Sequence, residues 1–132
     1  MKVSTKGRYA LRIMIDIAEN GKKDYVSIKS ISERQNISNK YIEQIISKLL
    51  KANLLLTYRG HTGGYKLSRK PNEYKVGEIL RLAEWDLKVT DCVSDYECPR
   101  KSICNTYSFW EGLDTVINEY ADSYTLEELL KK

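Results

Sequence analysis

Three cysteines lie at even spacing in one polar segment of the chain. Cys92, Cys98 and Cys104 follow a C-x5-C-x5-C pattern in DCVSDYECPRKSIC, where apolar periodicity is absent. Thiolates are soft ligands for iron and zinc, and a pair of thiols can also form a reversible disulfide. Structural zinc sites usually pair two ligands at short spacing, and this segment contains no such pair. Spacing alone therefore leaves an iron–sulfur cluster, a redox-active disulfide and plain buried cysteines open.

A second group of polar side chains lies on one face of a predicted helix that Ser38 would cap. Apolar residues between Ile42 and Leu50 recur three and four positions apart, which predicts a single buried stripe. The opposite face carries short amides, an acid and lysines, namely Asn39, Lys40, Glu43, Gln44, Ser47, Lys48 and Lys51. Side chains of these types can hydrogen-bond the base edges and phosphates of DNA.

A predicted β-hairpin follows this helix at once. Its strands are expected at Leu54–Tyr58 and Tyr65–Ser68, joined by a glycine-rich turn that carries Arg59 and His61. A helix and a hairpin that merely pack together would show the same pattern. The close succession of capped helix and hairpin favours a winged helix-turn-helix.

Two helices are predicted ahead of this unit. The first runs from Thr5 to Asn20, with Gly21 in the left-handed conformation after it. The second runs from Ile28 to Gln35 with Ser27 as its N-cap, and a short turn at Asn36 joins it to the helix that Ser38 caps. Three cations near the start of the first helix are placed to reach a phosphate backbone, namely Lys6, Arg8 and Arg12.

Two further helices are predicted after the hairpin, on either side of the cysteine segment. The first spans Val76–Trp85 and the second spans Thr106–Tyr124. The second has apolar residues alternately three and four positions apart, the spacing of a helix that packs on another helix: Trp110, Leu113, Ile117, Tyr120 and Tyr124. The fold class expected is therefore mostly α with a small β-hairpin.

Charge divides the chain into two unlike halves. Residues 1–75 hold 16 Lys and Arg against 6 Asp and Glu, a net charge of +10, whereas residues 76–132 hold 6 against 12, a net charge of −6. A basic half attracts a polyanion because neutralised phosphates release counterions. We therefore expect a DNA-binding domain at 1–75 and a separate unit, with the cysteine loop and a dimerisation helix, at 76–132.

Length and composition exclude several classes of protein. A chain of 132 residues accommodates one compact core, and no apolar run is long enough to span a membrane. The N-terminal MKVSTKGRYA lacks the apolar region of a signal peptide, and an odd number of cysteines argues against a secreted disulfide framework. We expect a cytoplasmic protein. It is not expected to be an enzyme, because no catalytic acid–base pair and no phosphate-binding glycine loop is present.

The whole chain resembles the winged-helix transcription regulators of the IscR/NsrR/CymR family, and IscR most in pattern. The resemblance rests on STKGRYAL, KSISERQNIS, YIEQIISKL, the wing RGHTGGY and the C-x5-C-x5-C segment. It implies a homodimer, formed through the long C-terminal helix, that binds double-stranded DNA. The family's base-reading positions match Glu43 and Gln44, and its minor-groove arginine matches Arg59. The full set expected at DNA is Ser38, Lys40, Tyr41, Glu43, Gln44, Lys48, Arg59 and His61.

The same resemblance implies an iron–sulfur cluster held by the three cysteines, with [2Fe-2S] favoured over [4Fe-4S]. The family's fourth ligand has no direct match: Tyr107 stands where IscR-type members have histidine, and Arg8 where NsrR-type members have aspartate. Tyr107 is the first candidate, followed by Asp91, Asp95, Glu97 or a small exogenous ligand. The alternative is the CymR-type arrangement, a cluster-free regulator controlled by a partner enzyme, or control by thiol–disulfide change.

Overall fold

The computed structural model describes residues 2–58, 63–84, 87–94 and 96–130. Over these ranges the chain forms six α-helices and one two-stranded hairpin. The elements, in order, are α1 Thr5–Asn20, α2 Ile28–Gln35, α3 Asn39–Lys51, β1 Leu55–Tyr58, β2 Gly64–Leu67, α4 Val76–Glu84, α5 Tyr107–Ser123 and α6 Leu126–Leu130. The expected fold class, mostly α with a small hairpin, is confirmed.

Side-chain caps fix the two helices of the helix-turn-helix pair. The Ser27 hydroxyl accepts from the Ser30 N–H at 3.1 Å, and the Ser38 hydroxyl accepts from the Tyr41 N–H at 3.2 Å. Asn36 adopts φ 55°, ψ 48°, a left-handed conformation that asparagine tolerates, and so turns the chain between α2 and α3. All three features agree with the sequence prediction.

The expected conformation of Gly21 is wrong. Its φ is −98°, outside the left-handed region. The residue is small for a different reason, because a Cβ there would lie 2.6 Å from the Ile17 carbonyl oxygen and 3.3 Å from Val26 Cγ2. Close approach to the carbonyl of the last turn of α1, and to Val26 beyond it, requires glycine at this position, and not a positive φ.

The hairpin is antiparallel, with Leu55 opposite Leu67 at its base and Tyr58 opposite Gly64 near its tip. β1 begins one residue later than predicted, and β2 begins and ends one residue earlier than predicted. Gly64 belongs to β2 because it pairs with Tyr58, and its position requires glycine because a Cβ there would lie 2.4 Å from the Val26 carbonyl oxygen. Val26 and Tyr65 exchange two backbone hydrogen bonds of 2.8 Å, so that the segment before α2 extends the hairpin.

One hydrophobic core joins α1–α3, the hairpin base, α4 and α6. Its largest buried side chains include Ile13, Ile31, Ile42, Leu49, Leu54, Tyr74, Ile79 and Leu126. The Tyr74 hydroxyl is satisfied inside this core, since it donates to the Leu54 carbonyl at 2.7 Å. The core therefore includes residues from both sides of position 75, and the domain division expected there stays a prediction.

Helix α5 is tied to α4 by polar contacts. Arg81 donates from Nη2 to Asp122 Oδ2 at 2.7 Å and from Nε to Asn118 Oδ1 at 3.1 Å. The cysteine segment, with one short 3₁₀ turn at Asp91–Val93, connects these two helices. Trp85, expected as the last residue of α4, lies outside the described residues. Among the helices described, none is long and apolar enough to cross a membrane.

Candidate DNA-binding surface and cysteine loop

Helix α3 separates an apolar face from a polar one, as its sequence predicts. Ile42, Ile45, Ile46 and Leu49 are buried in the core. The exposed face carries Asn39, Lys40, Glu43, Gln44, Ser47 and Lys51, while Lys48 is half-buried. Lys40, Glu43 and Gln44 thus stand free of the core in the first two turns of the helix. These turns are the part of a recognition helix that reads base edges.

Two of the expected DNA contacts also have structural roles. The Ser38 hydroxyl caps α3, and the ring of Tyr41 meets the ring of Tyr9 edge-on, with centroids 5.4 Å apart. Tyr41 is half-buried and packs against the core. Ser38 is exposed and Tyr41 keeps part of its surface accessible, so both can still meet a phosphate.

An ion pair between a buried carboxylate and a partly exposed arginine joins α1 to α2. Asp16, with 2% of its surface exposed, lies opposite Arg34, whose Nη2 is 2.7 Å from Oδ1 and whose Nε is 3.0 Å from Oδ2. This hydrogen bonding raises the pKa of Arg34 above its ordinary value. Gln35 adds a third donor, from Nε2 to Asp16 Oδ2 at 2.9 Å. The bidentate geometry fixes the angle of α2 on α1.

The hairpin is braced at its base on α4. Arg69, just after β2, pairs with Glu78 at 2.8 Å and lies over the ring of Tyr74, its Cζ 5.0 Å from the centroid. Arg59 and His61, which the sequence places at the tip of the hairpin, lie outside the described residues. Their expected contact with DNA stays a prediction.

The cysteine segment encloses a polar cleft of about 450 Å³. Cys92 and Cys98 line it together with Glu97, Lys101 and Tyr107. The Tyr107 hydroxyl donates to Glu111 Oε2 at 3.2 Å, and the Lys101 ammonium lies 5.0 Å from the centroid of the Tyr107 ring. The cleft therefore brings two of the three cysteines beside the first candidate for a fourth ligand.

Cys104 makes its own polar contact at the start of α5. Its sulfur lies 3.2 Å from the Thr106 hydroxyl oxygen. Hydrogen bonding from Thr106, with smaller effects from the Tyr107 N–H and the Arg100 charge, holds the pKa of this thiol below its ordinary value. A lowered pKa favours the thiolate, the form that binds metals and attacks disulfides.

The donor types fit an iron–sulfur cluster, because three free thiols lie in one loop. Their arrangement does not yet form a closed site. Among the described residues, no three His, Cys, Asp or Glu side chains converge closely enough to hold a metal ion. Asp95, one of the alternative fourth ligands, lies outside those residues.

Two polar residues, Glu84 and Arg12, form contacts between helices that the sequence analysis did not predict. Glu84, the last residue of α4, accepts from the N–H groups of Ser4 and Gly7 at the start of α1, each at 2.9 Å. Arg12 donates to Gln35 at the end of α2 instead of standing free. The glycine at position 7 is the one local sign of the Glu84 contact, because a Cβ there would lie 2.5 Å from Glu84 Oε1.

Comparison with known proteins identifies the family. Residues 3–132 match the Rrf2 family, described as iron-dependent transcriptional regulators. The chain belongs to the Rrf2 family. It is 38% identical to the HTH-type transcriptional regulator IscR of Aliivibrio salmonicida over 130 residues, which is 98% of this chain and 77% of that protein.

Solved structures of Rrf2-type regulators share the fold along the whole chain. CymR, the global cysteine regulator of B. subtilis, superimposes with a TM-score of 0.82 at 35% identity and covers 99% of this chain and 97% of its own. IscR of T. potens gives a TM-score of 0.79 at 40% identity, with 99% and 87% covered. The oxidized form of Staphylococcus aureus CymR gives 0.77 at 33% identity, with 100% and 98% covered. The protein is thus a DNA-binding transcriptional regulator of the Rrf2 family, not an enzyme.

Proposed function

We propose that this Rrf2 regulator acts as a homodimer whose affinity for a specific DNA sequence depends on an iron–sulfur cluster held by Cys92, Cys98 and Cys104. The observation that carries the proposal is the position of the cysteine loop. It connects α4, which packs on α1 of the DNA-binding part, to α5, whose outer face is apolar. If the cysteine loop becomes more or less ordered, the positions of α4 and α5 would therefore change together.

Base reading is assigned to the free face of α3. Lys40, Glu43 and Gln44 are exposed on the first two turns, and their side chains suit guanine, cytosine and adenine edges respectively. Ser38, Tyr41 and Lys48 flank them as phosphate contacts. Arg59 is assigned to the adjacent minor groove on the strength of the family resemblance, and His61, two positions later in the sequence, is assigned a contact with DNA.

Dimerisation is assigned to α5. Within this helix, all of which is described, Ala121 is the one buried residue, while Phe109, Val116 and Tyr120 are 62%, 61% and 64% exposed. An apolar groove of about 370 Å³, lined by residues such as Leu11, Leu80 and Ile117, runs beside it. Apolar side chains exposed along one helix are typical of a surface covered by a partner. A second copy offers the same apolar strip, so a two-fold arrangement covers both.

The three thiolates are assigned as the cluster's protein ligands and Tyr107 as the candidate for the fourth position, with [2Fe-2S] favoured over [4Fe-4S]. A bound cluster supplies a group that responds to iron supply and oxidation. Cys92, Cys98 and Tyr107 already line one cleft. Because no three ligands converge among the described residues, cluster binding requires the loop to bring the three thiols closer together.

Anaerobic reconstitution with iron and sulfide tests the cluster assignment. We expect the wild-type protein to retain iron and acid-labile sulfide in equal amounts with visible absorption, and Cys92→Ala, Cys98→Ala and Cys104→Ala each to lose them. Ser102→Ala, in the same loop, is the control and should retain the cluster. A wild-type protein that keeps no iron and sulfide would contradict the assignment.

A second candidate is a cluster-free regulator that responds through its thiols or through a partner enzyme. It is favoured by the similarity to CymR, a cysteine regulator, and by the three free, half-exposed cysteines of the described structure. It predicts that metal-free protein binds DNA differently before and after mild oxidation, or when a partner enzyme is added. An affinity unchanged by either treatment would exclude this candidate.

A further inference from the structure

The guanidinium of Arg12 is committed to a neighbouring helix. Its Nε donates to Gln35 Oε1 at 3.1 Å, and its Nη2 donates to the backbone carbonyl of Gln35. Gln35 is the last residue of α2, where unsatisfied carbonyls and the negative end of the helix dipole favour a cation. Arg12 thus caps the C-terminal end of α2, immediately before the turn at Asn36.

The same side chain is linked to the recognition helix by aromatic contacts. The Arg12 Cζ lies 5.2 Å from the centroid of the Tyr9 ring, and Tyr9 meets Tyr41 of α3 edge-on at 5.4 Å. Gln35, held by Arg12 on one side, donates to the buried carboxylate of Asp16 on the other. One arginine of α1 therefore contacts α2 directly and α3 through a single ring.

We propose that Arg12 is a positioning residue for DNA recognition. It fixes the two helices of the helix-turn-helix relative to α1 and contacts no phosphate itself. A planar, forked donor is required, because one nitrogen must reach the Gln35 side chain and another must reach its carbonyl while the charge lies over the Tyr9 ring. A lysine supplies the charge without the fork. This inference rests on DNA binding, and it is independent of what the cysteine loop binds.

A positioning role and a direct phosphate contact predict different effects of substituting Arg12. A phosphate contact depends on charge, so a lysine preserves most of it, and loss of the contact lowers the salt dependence of binding by about one unit of slope. A misplaced recognition helix keeps its phosphate attraction but loses base contacts. Specific binding then weakens more than non-specific binding.

The test uses a duplex that the full-length wild-type protein enriches from a random pool, beside a scrambled duplex of equal composition. Arg12→Ala and Arg12→Lys are compared by fluorescence anisotropy over a range of salt. Arg8→Ala is the matched control, since Arg8 lies one turn earlier on α1 and donates within its own helix, to Thr5 at 3.4 Å. Circular dichroism confirms that each variant is folded. The double variant with Gln35→Ala measures whether the two residues act together.

We expect both Arg12 variants to lose about tenfold in affinity for the selected duplex, comparable with weakening one base contact, and to lose less for the scrambled duplex. The salt dependence of binding by the Arg12 variants should equal that of the wild-type protein, and Arg8→Ala should lose less affinity for the selected duplex. In a protein that already carries Gln35→Ala, Arg12→Ala should cause little further loss of affinity. Wild-type affinity in Arg12→Lys, or equal losses on both duplexes, would overturn the proposal. If Arg12→Ala does not fold, the Arg12→Lys result alone decides the matter.

Discussion

The carboxylate of Glu84 accepts a hydrogen bond from the backbone N–H of Gly7 at 2.9 Å, across 77 positions of sequence. It also accepts from the N–H of Ser4 at 2.9 Å, and from the Ser4 hydroxyl at 2.5 Å. A carboxylate at this place satisfies free amides and complements the positive end of the α1 dipole. Glu84 ends α4, the helix that leads into the cysteine loop. The contact therefore joins the start of the DNA-binding part directly to the segment that we propose senses the signal.

Gly7→Ala should destabilise the fold. The added Cβ would lie 2.5 Å from Glu84 Oε1, so the carboxylate must move and give up hydrogen bonds to α1. Lost charge-assisted bonds cost about 1.5–3 kcal/mol, and the better helix propensity of alanine returns about 1 kcal/mol. We expect a net loss of about 1 kcal/mol in the free energy of unfolding, measured by urea denaturation.

Gly112→Ala is the control for this substitution. Gly112 is an exposed glycine of α5 whose added Cβ would meet nothing within 4 Å in the single chain. Its replacement should raise the free energy of unfolding by up to about 1 kcal/mol. If Gly7→Ala stabilises the protein as much as Gly112→Ala does, the Glu84 contact contributes nothing to stability.

Asp16→Asn should weaken the attachment of α2 to α1. The substitution removes the charge that Arg34 faces across a bidentate contact, while Arg34 itself, with 39% of its side chain exposed, can regain water. The cost is therefore nearer to that of lost charge-assisted hydrogen bonds, about 1–3 kcal/mol, than to that of a stranded buried charge. Thermal unfolding measures it, with Glu19→Gln on the exposed face of α1 as the control. A variant as stable as the control would show that this pair contributes nothing.

Leu113→Asp should convert the proposed dimer to a monomer. Leu113 lies on α5 between the exposed Phe109 and Val116, and a carboxylate there would have to be buried unpaired on association. Analytical ultracentrifugation at micromolar concentration measures the mass. Thr115→Asp is the control, because Thr115 is exposed and, two positions from Leu113, lies on the opposite side of the helix. Wild-type protein that sediments as a monomer, or a Leu113→Asp variant that stays dimeric, would contradict the assignment of α5.

Tyr107→Phe tests whether Tyr107 is a required or a replaceable ligand of the proposed cluster. A phenolate is a harder and more easily displaced ligand than a thiolate. We therefore expect the variant to retain a cluster with an altered absorption spectrum or faster loss, unlike the cysteine variants. Complete loss would make Tyr107 essential, and an unchanged spectrum would move the fourth ligand to Asp91, Asp95 or Glu97.

Local structure was predictable where short-range chemistry determines it. Ser27 and Ser38 cap helices because hydroxyls satisfy nearby amides, and apolar spacing gives α3 its buried face. The sequence could not reveal the partner of Glu84 or Arg12, because those contacts depend on how distant helices pack. Gly21 differs from the prediction because contacts with the Ile17 carbonyl and with Val26 require its small size, and its own φ does not.

The candidate site was predictable in part for the same reason. Residue type and helical spacing placed Lys40, Glu43 and Gln44 together on one polar face of α3. The structure confirms that all three side chains are exposed there. Even spacing of the cysteines could not predict that Cys92 and Cys98 share a cleft while Cys104 bonds to Thr106. That division follows from the path of the loop between α4 and α5.

The central claim is that occupancy of the cysteine loop controls DNA affinity. The most direct measurement is the anaerobic affinity of one protein preparation for the selected duplex, before and after cluster reconstitution, beside Cys98→Ala treated identically. Coupling between two sites typically changes affinity by about 5–150-fold. We predict a change of at least fivefold for the wild-type protein and none for Cys98→Ala. Equal wild-type affinity with and without a bound cluster would contradict the claim.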